Sequence, residues 1–168
     1  RHLNPKRSDA DEDVRKAIRQ ALAASVPKTK CPAVLRLVFH DAGTYLESAN
    51  DGGMNASVRY ELNRPESFGL KRGLNVVKSA YDALDGTAAA GKVSFADMIA
   101  CAGAYAVEFT GGPAFLERVP LGRIDVETAD PENRMPEQTL GGKEMREHFA
   151  RSGITTRDMV ALAGAHTS

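Results

Sequence analysis

Arg36 and His40 are the residues whose types and spacing best suit chemistry. They stand four apart, so on a helix they share one face. A guanidinium stays charged at any ordinary pH, and an imidazole exchanges its proton near neutrality. Side by side, they can meet developing negative charge and move a proton. The chain has 4 histidines, at positions 2, 40, 148 and 166. His2 stands at a terminus, and His148 lies in the charged stretch KEMREHFAR and reads as a surface residue. His40 and His166 sit in largely apolar helices that would be buried, and each taken alone reads as a satisfied core histidine. His166 follows Ala161-Leu162-Ala163-Gly164-Ala165. Small residues at a helix end let a flat, bulky group approach, and haem with an axial histidine is such a group.

The elements that must position these residues are helical. Apolar residues recur at helical spacing in about 9–26, with Ser8 or Asp9 as cap, acidic residues in the first turn and Pro27 as stop. Residues 32–45, PAVLRLVFHDAGTY, form a second helix with proline in its first turn. A Gly- and Asn-rich loop follows over 47–59, then a helix over 69–84 and a linker over 85–92. Ser94 with Asp97 spells a capping box for a small-residue helix over 95–109, whose Ala and Gly content fits an interior. Residues 112–142 carry four prolines and form a long irregular connection of the kind that usually has a function. A short helix over 143–152 precedes a second capping box, Thr155 with Asp158, and a helix running toward His166. The tally is six helices and no strand. The fold class is all-α, in a single domain.

Composition narrows the classes. The chain has 168 residues, 42% of them apolar and 26% charged, which is globular rather than disordered. Lys+Arg and Asp+Glu are 22 each, so net charge gives no argument for a nucleic-acid partner. No apolar run approaches the ~20 residues of a membrane span. Cys31 and Cys101 lack CxxC spacing and read as buried free thiols. The chain starts at Arg1 rather than Met and reads as a processed or excised form.

LRLVFHDAGT (35–44) resembles the distal haem motif of the plant-type (class I) haem peroxidases. VSFADMIACAGAYAVEFTGGP (93–113), PLGRIDV (120–126) and MPEQTLGG (135–142) resemble the central helix and connecting segment of the ascorbate peroxidase group. DMVALAGAHT (158–167) is similar to its proximal histidine motif. Chloroplast ascorbate peroxidase-like proteins, including the thylakoid-lumen relative, are the nearest pattern. The motifs stand in family order and together are highly specific.

The resemblance implies haem b as cofactor, hydrogen peroxide and a small, ascorbate-like reductant as partners, a chloroplast location and a response to oxidative stress. His40 would shuttle the peroxide proton, and Arg36 would stabilise charge as the O–O bond breaks. Phe39 takes the distal aromatic position, where ascorbate peroxidases usually have Trp. His166 matches the axial iron ligand, Glu61 an acid supporting the distal network, and Pro136 the segment lining the haem edge. Ser67 falls where an asparagine normally orients the distal histidine. The family domain continues past the proximal histidine, so the chain reads as C-terminally incomplete. The resemblance also covers a distal calcium loop of secreted peroxidases: Asp41, Gly53, Asn55 and Ser57, with Asn55 replacing an aspartate. Losing that charge weakens such a site, and the competing reading is that Asp41 pins the loop 50–53. The alternative function is a haem-free or catalytically weak peroxidase-fold protein with a structural or interaction role.

Overall fold

The computed structural model describes residues 9–166. It contains six α-helices: α1 (Asp9–Ser25), α2 (Cys31–Ala42), α3 (Lys71–Asp82), α4 (Phe95–Phe109), α5 (Gly142–Ala150) and α6 (Thr156–Ala163). Among the described residues the only β pairing is an isolated antiparallel bridge between Leu46 and Asp51. Ser8, the alternative cap of α1, and His2 lie outside the described residues.

Helices α1 to α4 enclose one core. The predicted stripe of α1, Val14, Ala17, Ile18, Ala21 and Leu22, is buried. In α4, every residue from Phe95 to Ala106 is buried, as its Ala-rich composition implies. Cys31 and Cys101 are free and buried in this core. Burial pushes the Cys101 thiol up to about 12, so it stays protonated and unreactive.

Glycine sets how closely the helices approach. A Cβ on Gly73 of α3 would stand 2.4 Å from the Ala33 carbonyl oxygen of α2. One on Gly103 of α4 would stand 2.8 Å from Val38 Cγ2, also on α2. The first obstacle is backbone and cannot rotate away. Gly73→Ala should therefore destabilise the fold by about 1–3 kcal/mol through overpacking, although it raises helix propensity. A lower urea midpoint with an unchanged slope would bear this out. An unchanged or higher midpoint would show that α2 and α3 can part without cost.

The N-terminus of α4 corrects the expected capping box. Ser94 Oγ does accept from the Asp97 amide at 3.0 Å. The Asp97 carboxylate, however, does not return to Ser94. It accepts the amides of Gly122 and Arg123 at 2.7 and 3.1 Å and pairs with the Arg123 guanidinium at 3.0 Å. The connection reciprocates: Asp125 accepts the amides of Phe95 and Ala96 at 2.9 and 2.8 Å. Four amides of a helix start need partners, and here two are met from about thirty residues downstream. In α6 Thr155 behaves as expected, accepting from the Asp158 amide at 3.2 Å.

Helices α5 and α6 pack on each other and join the rest beside the end of α2. Glu47 N donates to the Arg151 carbonyl at 3.0 Å. Ser152 Oγ donates to the Tyr45 carbonyl at 2.7 Å. Phe149 of α5 packs against Phe39 with ring centroids 6.4 Å apart. His148 is half-buried rather than a surface residue. Its Nε2–H donates to the Arg134 carbonyl at 2.8 Å, which ties α5 to the connection. Among the described residues, no helix is long and apolar enough to cross a membrane.

Candidate active site

Helix α2 places Arg36, Phe39 and His40 within five consecutive residues. His40 is only 8% exposed, Phe39 is half-buried and Arg36 is exposed. The Phe39 and His40 rings meet edge to face, 6.2 Å between centroids. Burial first, and the Arg36 charge second, lower the His40 pKa from 6.5 to about 4, while Glu66 pulls it back. A helix C-terminus favours imidazolium, but by ~0.3–1 kcal/mol, which is less than one pH unit. Burial wins, so His40 is a neutral imidazole, able to accept a proton, throughout the neutral range.

Arg36 is held by backbone. Nη1 donates to the Phe68 carbonyl at 2.6 Å and Nη2 to the Glu66 carbonyl at 3.0 Å. These carbonyls flank Ser67. Ser67 is buried, yet among the described residues its side chain forms no hydrogen bond with His40. At the position where the resemblance places an asparagine, the neighbouring backbone instead contacts Arg36. A serine hydroxyl is too short for the reach that an asparagine has.

Glu61 is buried too, but its partners lie in the connection. Its Oε1 accepts the Asp130 amide at 3.0 Å and its Oε2 pairs with Arg64 at 3.2 Å. Arg64 also donates to the Asp130 carbonyl. The Asp130 carboxylate accepts from Thr44 Oγ1 at 2.6 Å and from Asn55 Nδ2 at 3.0 Å. Asp130 thus joins the connection to the residues that follow His40. Nothing in the sequence singled it out beyond its place in a long loop. Next to it, Met135 fills the space over Gly43, where a Cβ would stand 2.7 Å from Met135 Sδ. Pro136, half-buried, is carried by that same segment along the end of α2.

The candidate calcium residues are used internally. Asp41 accepts the amides of Ala56 and Val58 at 3.0 and 3.2 Å. Asp41 therefore pins 56–58, while the loop 50–53 is pinned by Thr44 Oγ1, which accepts the Gly53 amide at 2.9 Å. Burial pushes the Asp41 carboxyl up to about 7 against the pull of those two amides. Asn55 Oδ1 accepts the Ser57 amide at 3.0 Å. The Ser57 hydroxyl is buried and has no hydrogen-bond partner among the described residues.

His166 ends a 3-10 turn, Gly164–His166, that follows α6. Its helix was expected to be buried. Instead Met159 is the one buried residue of α6, and Val160, Leu162 and His166 are exposed. Among the described residues, no group of three or more His, Cys, Asp or Glu could hold a bare metal ion. A single exposed imidazole on an apolar helix fits a metal that brings its own equatorial ligands. The residues present are compatible with haem, for which His166 would offer one nitrogen beside the apolar Val160 and Leu162.

The peroxidase family pattern matches residues 11–168. The chain belongs to the peroxidase family. Among known peroxidases, one from Arabidopsis thaliana, provisionally named L-ascorbate peroxidase 6, is 43% identical over 166 residues, covering 99% of this chain and 49% of that protein. The peroxisomal L-ascorbate peroxidase 5 of the same plant is 40% identical over 157 residues, covering 89% of this chain and 51% of its own. The chain therefore spans about half the length of the curated relatives it matches. The TL29 protein of Arabidopsis thaliana has a crystal structure that superposes with a TM-score of 0.79 at 28% identity, covering 95% of this chain and 75% of that one. The all-α peroxidase fold and the likeness to ascorbate peroxidases read from the motifs are thus borne out.

Proposed function

We propose that this peroxidase-family chain is part of a haem-dependent enzyme that reduces hydrogen peroxide with a small, ascorbate-like donor. The observation that carries this is His40: a buried, neutral imidazole one helical turn from a fixed guanidinium. The similarity to ascorbate peroxidases supports the donor class. His166 would hold the haem iron, Phe39 would take the distal aromatic position and Pro136 would line the haem edge. Haem b supplies the redox chemistry when bound. In the protein's own share, His40 takes a proton from peroxide at its free ring nitrogen and returns it to the departing oxygen as water forms. Arg36 supplies fixed positive charge where that oxygen develops negative charge. Two one-electron donations from the reductant, with two protons, convert the remaining oxygen to the second water and complete the balance. Glu61 acts at a distance, by fixing Asp130 and the connection.

The pH profile tests this reading. Protonation removes the acceptor nitrogen of His40, and burial holds that event near pH 4. In the full-length haem protein, the second-order rate with hydrogen peroxide should stay flat from pH 7 to about 5. Below that it should fall toward one-tenth per unit. A profile that breaks near pH 6.5 instead would mean that His40 is solvated or is not the base.

A haem-free interaction role is the second reading, and the missing Ser67–His40 contact favours it. Stoichiometric haem with peroxide turnover excludes it. Calcium at Asp41, Gly53, Asn55 and Ser57 is the minor reading, since Asp41 has both oxygens committed to amides. The chloroplast location rests on motif resemblance, whereas named relatives are peroxisomal or cytosolic. Import of a full-length fusion into chloroplasts decides it.

A further inference from the structure

Residues 67–70 form a tight turn with an orientation that matters to Arg36. The Leu70 amide donates to the Ser67 carbonyl at 3.0 Å. Phe68 has φ −52° and ψ 125°. Gly69 has φ +85°. These are the angles of a type II turn, which requires a positive φ at its third residue. Types I and II differ by a half-turn of the central peptide, here the one between Phe68 and Gly69. In type II that peptide aims its carbonyl at Arg36 Nη1, 2.6 Å away. In type I the amide would face Arg36 instead, and a donor would oppose a cation.

We propose that the Phe68–Gly69 peptide is the positioning element for Arg36, with Gly69 selecting its orientation. It deepens the peroxidase reading and rests on it for the catalytic consequence, but not for the geometry. The Glu66 carbonyl, at 3.0 Å from Nη2, provides the second point of the clamp. Two backbone acceptors fix both ends of a planar fork, whereas a single one would leave it free to pivot. The same segment occupies the place from which the family's asparagine acts on the distal histidine. Here it acts on the arginine. Its exposed Phe68 side chain, 85% accessible, takes no part in the clamp.

The test compares Gly69→Val, Gly69→Asn and Arg36→Leu in the full-length protein. Valine resists a positive φ and should flip the peptide; asparagine tolerates that φ. A Cβ would lie 3.3 Å from Arg36 Nη1, so asparagine asks the guanidinium to yield by a few tenths of an ångström only. The direct readout is the Arg36 guanidinium by nitrogen NMR without haem. Slow Nη exchange and hindered rotation should persist in wild type and Gly69→Asn and vanish in Gly69→Val. The peroxide rate should fall about tenfold in Gly69→Val, in the direction of Arg36→Leu, and by less than about threefold in Gly69→Asn. The KM for the reductant should not move. If the Arg36 signals are the same in all three glycine-site proteins, the proposal is wrong. It is also wrong if Val and Asn lose rate equally. If Arg36→Leu itself leaves the peroxide rate unchanged while the NMR pattern holds, the clamp stands and the peroxidase reading fails.

Discussion

Replacing His40 by leucine should slow the reaction with hydrogen peroxide by about 10²–10⁴-fold, the usual worth of a positioned acid–base group. Leucine is close to imidazole in volume, and the position is nearly buried, so the fold should survive. Losing a buried, uncharged ring with no ion pair leaves no orphaned charge behind. The haem content should hardly change, because His166 and not His40 is proposed to hold the iron. The loss should therefore appear in the peroxide step and leave reductant KM alone. Stopped-flow absorbance under excess peroxide reads that step directly. A variant as fast as wild type would remove His40 from the mechanism, and with it the observation on which the functional proposal stands.

The second large effect belongs to His166. His166→Ala should prevent stable haem retention, seen as loss of the sharp Soret band after gel filtration. Outer groups that only orient a ligand already cost ~10–100-fold in metal affinity, and removing the ligand itself should exceed that. The substitution should leave the helical content unchanged, because the residue is exposed. Added imidazole should restore a Soret band in part by filling the vacated space. Haem held at wild-type stoichiometry in the alanine variant would show that another group binds the iron. The two variants separate the two faces: one keeps the cofactor and loses the rate, the other loses the cofactor.

The helices were legible because their signals are local. Caps, prolines and a 3.6-residue period placed all six within a few residues, and α4 at both ends. The second helix stops at Ala42 rather than at residue 45, because Thr44 turns its hydroxyl to Asp130 and Gly53. Arg36, Phe39 and His40 stood out as candidates through a dense motif with fixed spacing. What escaped was every contact made across the connection. Asp97 reads as a capping residue, but its carboxylate binds a loop twenty-five residues on. Asp130 and Met135 carry no local signature, since nothing in their neighbours reveals that Thr44 and Gly43 will lie beside them. The surroundings of Ser67 were hidden for the same reason. Its side chain drew attention, while the backbone on either side of it does the binding.

The exchange of aspartates at the start of α4 also bears on how the chain acquires this structure. Asp125 supplies acceptors that the helix start lacks, and Asp97 supplies acceptors that the 122–123 backbone lacks. Neither part is satisfied without the other. The helix and the connection therefore order together, as one cooperative folding unit with a loop-closure cost of some thirty residues. That cost grows only slowly with length, whereas leaving the buried Asp97 carboxylate without donors would cost more. Without the downstream segment the first turn of α4 should fray. Amide hydrogen exchange at Phe95 and Ala96 should therefore follow opening of residues 122–125, although α4 is buried as far as Ala106.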